Sequence, residues 1–180
     1  MNMTDPRKIE IDTERVLQNV PEHYGIVDLG SNSIRLVVYD HLGRAPFPRF
    51  NEKSLVALGA DLGADGQFTK EAIEEALSAV RRFQTVARAM KVPRVDVIAT
   101  EATRRAANGG DLISAIRRET GFEPHVIAGE EEAYYATLGV ISGFFQPRGL
   151  VGDIGGGSLE VAEALGDKVG ERRASMPLGA

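Results

Sequence analysis

Apolar positions are spaced one way at the start of the chain and another way through its middle. Tyr24 to Leu29 and Ile34 to Tyr39 are short apolar runs separated by Gly30-Ser31-Asn32-Ser33, the pattern of a β-hairpin with a buried first strand. A turn at Leu42-Gly43-Arg44 leads to a third strand expected within Pro48 to Leu58. Pro46 and Pro48 make its start an edge or an irregularity, because proline cannot donate to a ladder. Gly59 to Gly66 reads as loop.

From Thr69 the spacing changes to three and four residues, through Ile73, Ala76, Leu77, Val80, Phe83, Ala87 and Met90. With Thr69 as N-cap and Glu71 complementing the dipole, this predicts a helix of about 20 residues, ended by Val92-Pro93. Val95 to Ala99 reads as a strand and Thr100 to Asn108 as a short helix broken by Gly109-Gly110. A second helix is expected to be capped by Asp111, with Leu112, Ile113 and Ile116 as its apolar face and Gly121 as its stop. His125 to Ala128 reads as a strand. A helix opens at Glu130, with Ala133, Ala136, Thr137, Val140 and Ile141 on one face, and residues 144–149 read as a hinge.

At residue 150 the strand pattern restarts. Laying Asp28 over Asp153 brings Ile26-Val27-Asp28-Leu29-Gly30-Ser31-Asn32-Ser33 onto Val151-Gly152-Asp153-Ile154-Gly155-Gly156-Gly157-Ser158, with the aspartate, the first glycine and apolar positions in phase. An isolated Gly-Gly-Gly is equally a hairpin turn. Two strand, Asp-aliphatic-Gly turn, strand units point instead to two related lobes that present their turns to one ligand. Glycine turns can aim backbone amides inward without a side chain in the way, which suits a phosphate, and an aspartate at the strand tip suits a hydrated divalent cation.

An antiparallel meander followed by β-α-β crossovers is an α/β layer architecture. The organisation expected is an N-terminal extension over 1–23, a first lobe over 24–143, a hinge over 144–149 and the first strands of a duplicated second lobe over 150–180. That second lobe has room for about three strands of typical length and lacks the helices that should cover its sheet. The 180 residues therefore read as part of a longer protein, with an apolar sheet face left bare.

Composition narrows the chemistry. Hydrophobic residues are 43% and charged residues 26%, an ordinary globular balance. A net charge of −5 argues against broad nucleic-acid binding, so a polyanion would need a local basic cluster. The absence of cysteine excludes disulfides, zinc thiolates and thiol catalysis. His23, His41 and His125 show no metal-ligand spacing. The first twenty residues hold Asp5, Glu10, Asp12 and Glu14 and no continuous apolar segment; they read as neither a signal peptide nor a membrane span, so a cytoplasmic protein is expected.

Two charged clusters admit two readings each. Glu130, Glu131 and Glu132 complement a helix N-terminus, but three adjacent carboxylates also repel one another, which favours a bound cation or a base of raised pKa. Arg117 and Arg118 read as a solvated helix face. Arg104, just past a strand end where ligands of open α/β sheets gather, reads as a phosphate contact.

Four motifs stand in order: Asp28-Leu29-Gly30-Ser31-Asn32-Ser33, Thr100-Glu101-Ala102-Thr103-Arg104, Gly129-Glu130-Glu131-Glu132-Ala133 and Asp153-Ile154-Gly155-Gly156-Gly157-Ser158. From about Tyr24 to Ala180 the chain resembles the exopolyphosphatase and guanosine pentaphosphate phosphohydrolase family, within the actin, Hsp70 and sugar-kinase superfamily of ribonuclease-H-like folds. Ser175-Met176-Pro177-Leu178-Gly179 is similar to that family as well.

The resemblance implies a first phosphate turn formed by Ser31, Asn32 and Ser33 beside Asp28, and a second formed by Gly155, Gly156, Gly157 and Ser158. It implies Mg²⁺ near Asp28, Asp153 and Glu160, a phosphate contact at Arg104 and Glu132 as the carboxylate that aims or deprotonates water. Leu159 stands where the family usually has threonine. The activity expected is hydrolysis of the terminal phosphate of inorganic polyphosphate or guanosine pentaphosphate, without a covalent intermediate. The alternatives are a sugar-kinase-like phosphotransferase and a non-catalytic actin-like domain that senses phosphate or nucleotide. Neither nucleic acid nor membrane is expected as a partner, and the full-length protein is expected to be a homodimer.

Overall fold

The computed structural model describes residues 23–179 apart from 61 and 64, so the expected N-terminal extension lies almost wholly outside the described residues. Strands β1 (Tyr24–Leu29), β2 (Ile34–Tyr39) and β3 (Pro48–Ser54) form the expected antiparallel meander. Helix α1 (Lys70–Ala89) returns the chain so that β4 (Arg94–Ala99) lies parallel to β1. Helices α2 (Glu101–Arg105) and α3 (Gly109–Thr120) carry it to β5 (Pro124–Val126), parallel to β4. The sheet order is β3-β2-β1-β4-β5, as expected for a ribonuclease-H-like lobe.

The helices form where pattern and caps agree. Thr69 Oγ1 accepts from the Ala72 amide at 3.1 Å, and Ala72, Ala76, Leu77, Val80, Phe83 and Ala87 make one buried stripe. That stripe meets Val27, Leu29, Leu36, Val38 and Val97 of the sheet and Leu112 and Ile116 of α3, and this is the main core. Gly121 ends α3 in the left-handed region at φ 71°, as its position predicted.

Two boundaries differ from expectation. Gly109 and Gly110 begin α3 rather than break before it, and Asp111 lies in the first turn with Asn108 at the cap position. Asn108 forms no capping bond because its amide bridges the Phe68 backbone in both directions, at 2.8 and 3.0 Å. The fifth strand is Pro124–Val126, ending two residues before Ala128. Ile127 instead donates its amide to Ala99 O at 3.1 Å, and Arg104 takes its carbonyl at 2.6 Å.

The second sheet is a meander of β6 (Arg148–Ile154), β7 (Leu159–Leu165) and β8 (Lys168–Met176). Helix α4 (Gly129–Gly143) follows the first sheet in the chain but packs against β6, β7 and β8. Its buried residues Ala133, Thr137 and Ile141 lie four apart, and Ala162 and Ala164 of β7 are buried with it. These small side chains let helix and sheet approach closely. On the opposite face Leu150 and Ile154 are exposed. No helix among the described residues is long and apolar enough to cross a membrane.

Candidate phosphate cleft

The two glycine turns are built alike. In the first, the Gly30 amide donates to Ser33 O at 3.1 Å; in the second, the Gly155 amide donates to Ser158 O at 2.9 Å. Each closes a hairpin whose first strand carries the expected aspartate one residue before its end. Asp28 is the register partner of Arg35, and Asp153 that of Glu160. Among the described residues no acceptor takes the amides of Ser31, Asn32, Gly156 or Gly157, so these donors are available to an anion.

The turns face each other across a cleft of about 380 Å³. Asp28, Ser31, Asn32, Ser33, Asp153, Gly155, Gly156, Gly157, Ser158 and Glu132 all line it, so the first strand's tip, both turns and the start of α4 converge from distant parts of the sequence. The turns also touch. A β-carbon on Gly156 would run into the Asn32 carboxamide, and one on Gly157 into the Glu101 carboxylate. Glycine is required there for the turns to approach at all.

Glu132 reaches the cleft because α4 starts against β8. A β-carbon on Gly129 would overlap Ser175, so only glycine lets the helix begin that close. Burial first, then the charges of Glu160 and, more weakly, Asp28, push the Glu132 carboxyl up to about 7, against the pull of Arg104 at 3.3 Å. Such a group exchanges a proton near neutral pH, as a general base must. Burial raises the Asp28 carboxyl as well, reinforced by Asp153 and opposed by Arg35.

Two expected residues sit behind the cleft surface. Glu160 is only 2% exposed, and its Oε1 accepts from Ser175 Oγ at 2.7 Å. Arg104 is half-buried, with Nη1 shared between Ile127 O and Glu132. Lys53 escaped the sequence reading, and Thr100 and Glu101, though part of the second motif, were given no role there. Lys53 lines the cleft from β3, where it is the register partner of Arg35, itself opposite Asp28. That row could have been found by threading the three strands together, but nothing local to Lys53 signals it. Thr100 lines the cleft from the end of β4.

The cleft wall carries Asp28, Glu132 and Asp153 against Lys53. A polyanion entering it meets repulsion unless a cation is present. Hard carboxylate oxygens at the two strand tips suit a hydrated divalent cation, which can bind through one or two carboxylates and complete its shell with water and phosphate oxygens. Asp28 and Asp153 fit that requirement. Glu160 fits less well, being buried and already engaged by Ser175, and the described residues contain no cluster of three metal-ligating side chains.

Comparison with known proteins agrees with this geometry. Exopolyphosphatase 1 of Mycobacterium tuberculosis is 36% identical over 159 residues, which cover 87% of this chain and 46% of that protein. The crystal structure of the Aquifex aeolicus member of the Ppx/GppA family superposes with a TM-score of 0.77 at 31% identity, covering 87% of this chain and 51% of that one. A Cytophaga hutchinsonii exopolyphosphatase structure gives a TM-score of 0.75 at 30% identity, covering 87% and 51%. The chain thus spans about half the length of the relatives it matches. The fold is also shared with the ethanolamine utilization protein EutJ of Carboxydothermus hydrogenoformans, at a TM-score of 0.54 and 21% identity. With residues 37–180 matching the model of the Ppx/GppA phosphatase family, and both duplicated turns in place, the chain belongs to that family.

Proposed function

We propose that this cleft hydrolyses the terminal phosphoanhydride of inorganic polyphosphate, with guanosine pentaphosphate as a second substrate presenting the same terminal group. The observation that carries the reading is Glu132, a carboxyl held near neutrality on the wall of a cleft lined by two amide-bearing turns. The names of the relatives add support, since the M. tuberculosis protein and the C. hutchinsonii structure are both exopolyphosphatases.

Phosphoryl transfer through a loose transition state asks for positioning and charge stabilisation more than for covalent chemistry. The free amides of Ser31, Asn32, Gly156 and Gly157 hold the terminal phosphates, with Ser33 and Ser158 beside them and Lys53 above. Arg104 keeps Glu132 oriented and has further guanidinium N–H groups for phosphate. Glu132 takes a proton from a water, whose oxygen bonds to the terminal phosphorus as the bridging P–O bond breaks. The shortened chain leaves with that electron pair. Asp28 and Asp153 would hold Mg²⁺, with Glu160 adding negative charge from behind, and the ion would supply neutralisation of the phosphate oxygens. With this reading go a cytoplasmic location and a homodimeric full-length protein, which fractionation and sizing would check.

The test is phosphate release from polyphosphate, guanosine pentaphosphate and ATP measured in parallel with Mg²⁺ present, on wild type and Glu132→Gln. Release from the first two that the substitution suppresses supports the assignment. Transfer to a sugar from ATP would move the chain to the phosphotransferases, and binding without release would make it a sensing domain.

A further inference from the structure

Glu101 is a buried carboxylate to which the proposed reaction gives no part. It is 6% exposed and opens α2, directly after Thr100, whose amide donates to Leu29 O at 3.3 Å beside the first turn. Both its oxygens are engaged. Oε2 accepts from Ser31 Oγ at 3.3 Å, and Oε1 accepts from Arg105 at 2.8 Å. On its other side lies Gly157 of the second turn, where an added β-carbon would overlap Oε2 and come within 2.8 Å of Ser31 Oγ.

We infer that Glu101 is a positioning residue that sets the spacing and orientation of the two turns, filling the seam between them with its carboxylate. This rests on the reading of the cleft as a phosphate site. An ionised carboxylate can only accept, so the Ser31 hydroxyl spends its proton on Glu101 and Ser31 offers a phosphate its amide rather than its side chain. The length of the Glu101 arm sets how near Gly157 lies to Ser31, and hence how the free amides of the two turns converge. Arg105 pairs with Glu101 Oε1 at 2.8 Å, so what the seam draws on is the length of the arm and its acceptor for Ser31, both of which a glutamine would keep.

The full 180-residue chain tests this by calorimetric titration with short-chain polyphosphate and Mg²⁺. Glu101→Ala, which empties the seam, is expected to weaken binding by about tenfold or more, a change equivalent to one interaction of ordinary strength. Glu101→Gln keeps the volume and an acceptor for Ser31, and is expected to stay within about threefold of wild type. Gly157→Ala forces the seam open from the opposite turn and is expected to weaken binding in the same way. Adding Glu101→Asp to Gly157→Ala shortens the arm by one methylene and is expected to recover affinity, the signature of two coupled sites. This pair decides the matter even if Glu101→Ala fails to fold. Wild-type affinity in Glu101→Ala, or losses from Gly157→Ala and Glu101→Asp that simply multiply, overturns the inference while leaving the phosphate site intact. A wild-type chain that does not bind polyphosphate overturns the site and this inference together.

Discussion

Glu132 joins acidity to activity. Its carboxyl is raised from its ordinary 4.5 to about 7, by burial first and then by Glu160. A raised acid holds more protons folded than unfolded between those two values, so folding stability declines as pH rises through that window and the full penalty is present above about 7. Glu132→Gln is therefore expected to melt at higher temperature than wild type at pH 8 and at the same temperature near pH 4. The catalytic sign is opposite: the base form accumulates as pH rises, so phosphate release should climb with a midpoint near 7 in wild type. In Glu132→Gln turnover should fall by about 10²–10⁴-fold while polyphosphate binding persists. Near-normal turnover would hand the role to Glu130 or Glu131. Gly156 gives a second residue-scale expectation. Because its missing β-carbon is what admits the Asn32 carboxamide, Gly156→Val should push the turns apart and abolish polyphosphate binding in calorimetry while far-ultraviolet circular dichroism stays native. Unchanged affinity would make the turn purely structural.

At the scale of elements, caps and periodicity account for much of the first lobe. Thr69→Ala removes the acceptor for the Ala72 amide and should cost about 1 kcal/mol. Gly121→Ala places a β-carbon on a left-handed residue and should cost about 1 kcal/mol as well. Each corresponds to a fall of about 2–4 °C in Tm for a chain of this size. The two lie at opposite ends of different helices with separate partners, so the double substitution should show the sum in a thermal melt. A combined shift well short of the sum would mean that α1 and α3 fray together. These elements were legible because their signals are local: a β-branched hydroxyl before an apolar stripe, a glycine after one. The ends of β5 and the start of α3 were not, since Asn108 caps nothing while it bridges Phe68, and Ile127 leaves the strand to serve Ala99 and Arg104. Those partners lie 40, 28 and 23 residues away in sequence.

For the molecule as a whole, the cleft is the place where both sheets and α4 meet, so a ligand there should stabilise the entire chain. Short-chain polyphosphate at a hundred times its Kd adds about 2.7 kcal/mol, which should raise Tm by about 5–10 °C in wild type and by nothing in Gly156→Val. A shift that persists in Gly156→Val would place the ligand elsewhere. The sequence by itself determined the strand and helix order, the two Asp-aliphatic-Gly turns and the family, because each depends on spacing over a few positions or on motifs read in order. Only the tertiary structure decided that α4, adjacent in the chain to the first sheet, lies on the second; that Lys53 shares a row with Arg35 and Asp28; that Glu160 and Arg104 sit behind the surface; and that Glu101 meets both turns. The physical reason is the same in each case. A side chain's pattern says whether it is buried, but its partner is chosen by which surfaces can approach, and here small residues at Gly129, Gly156, Gly157, Ala162 and Ala164 set those approaches across stretches of chain that no local pattern connects.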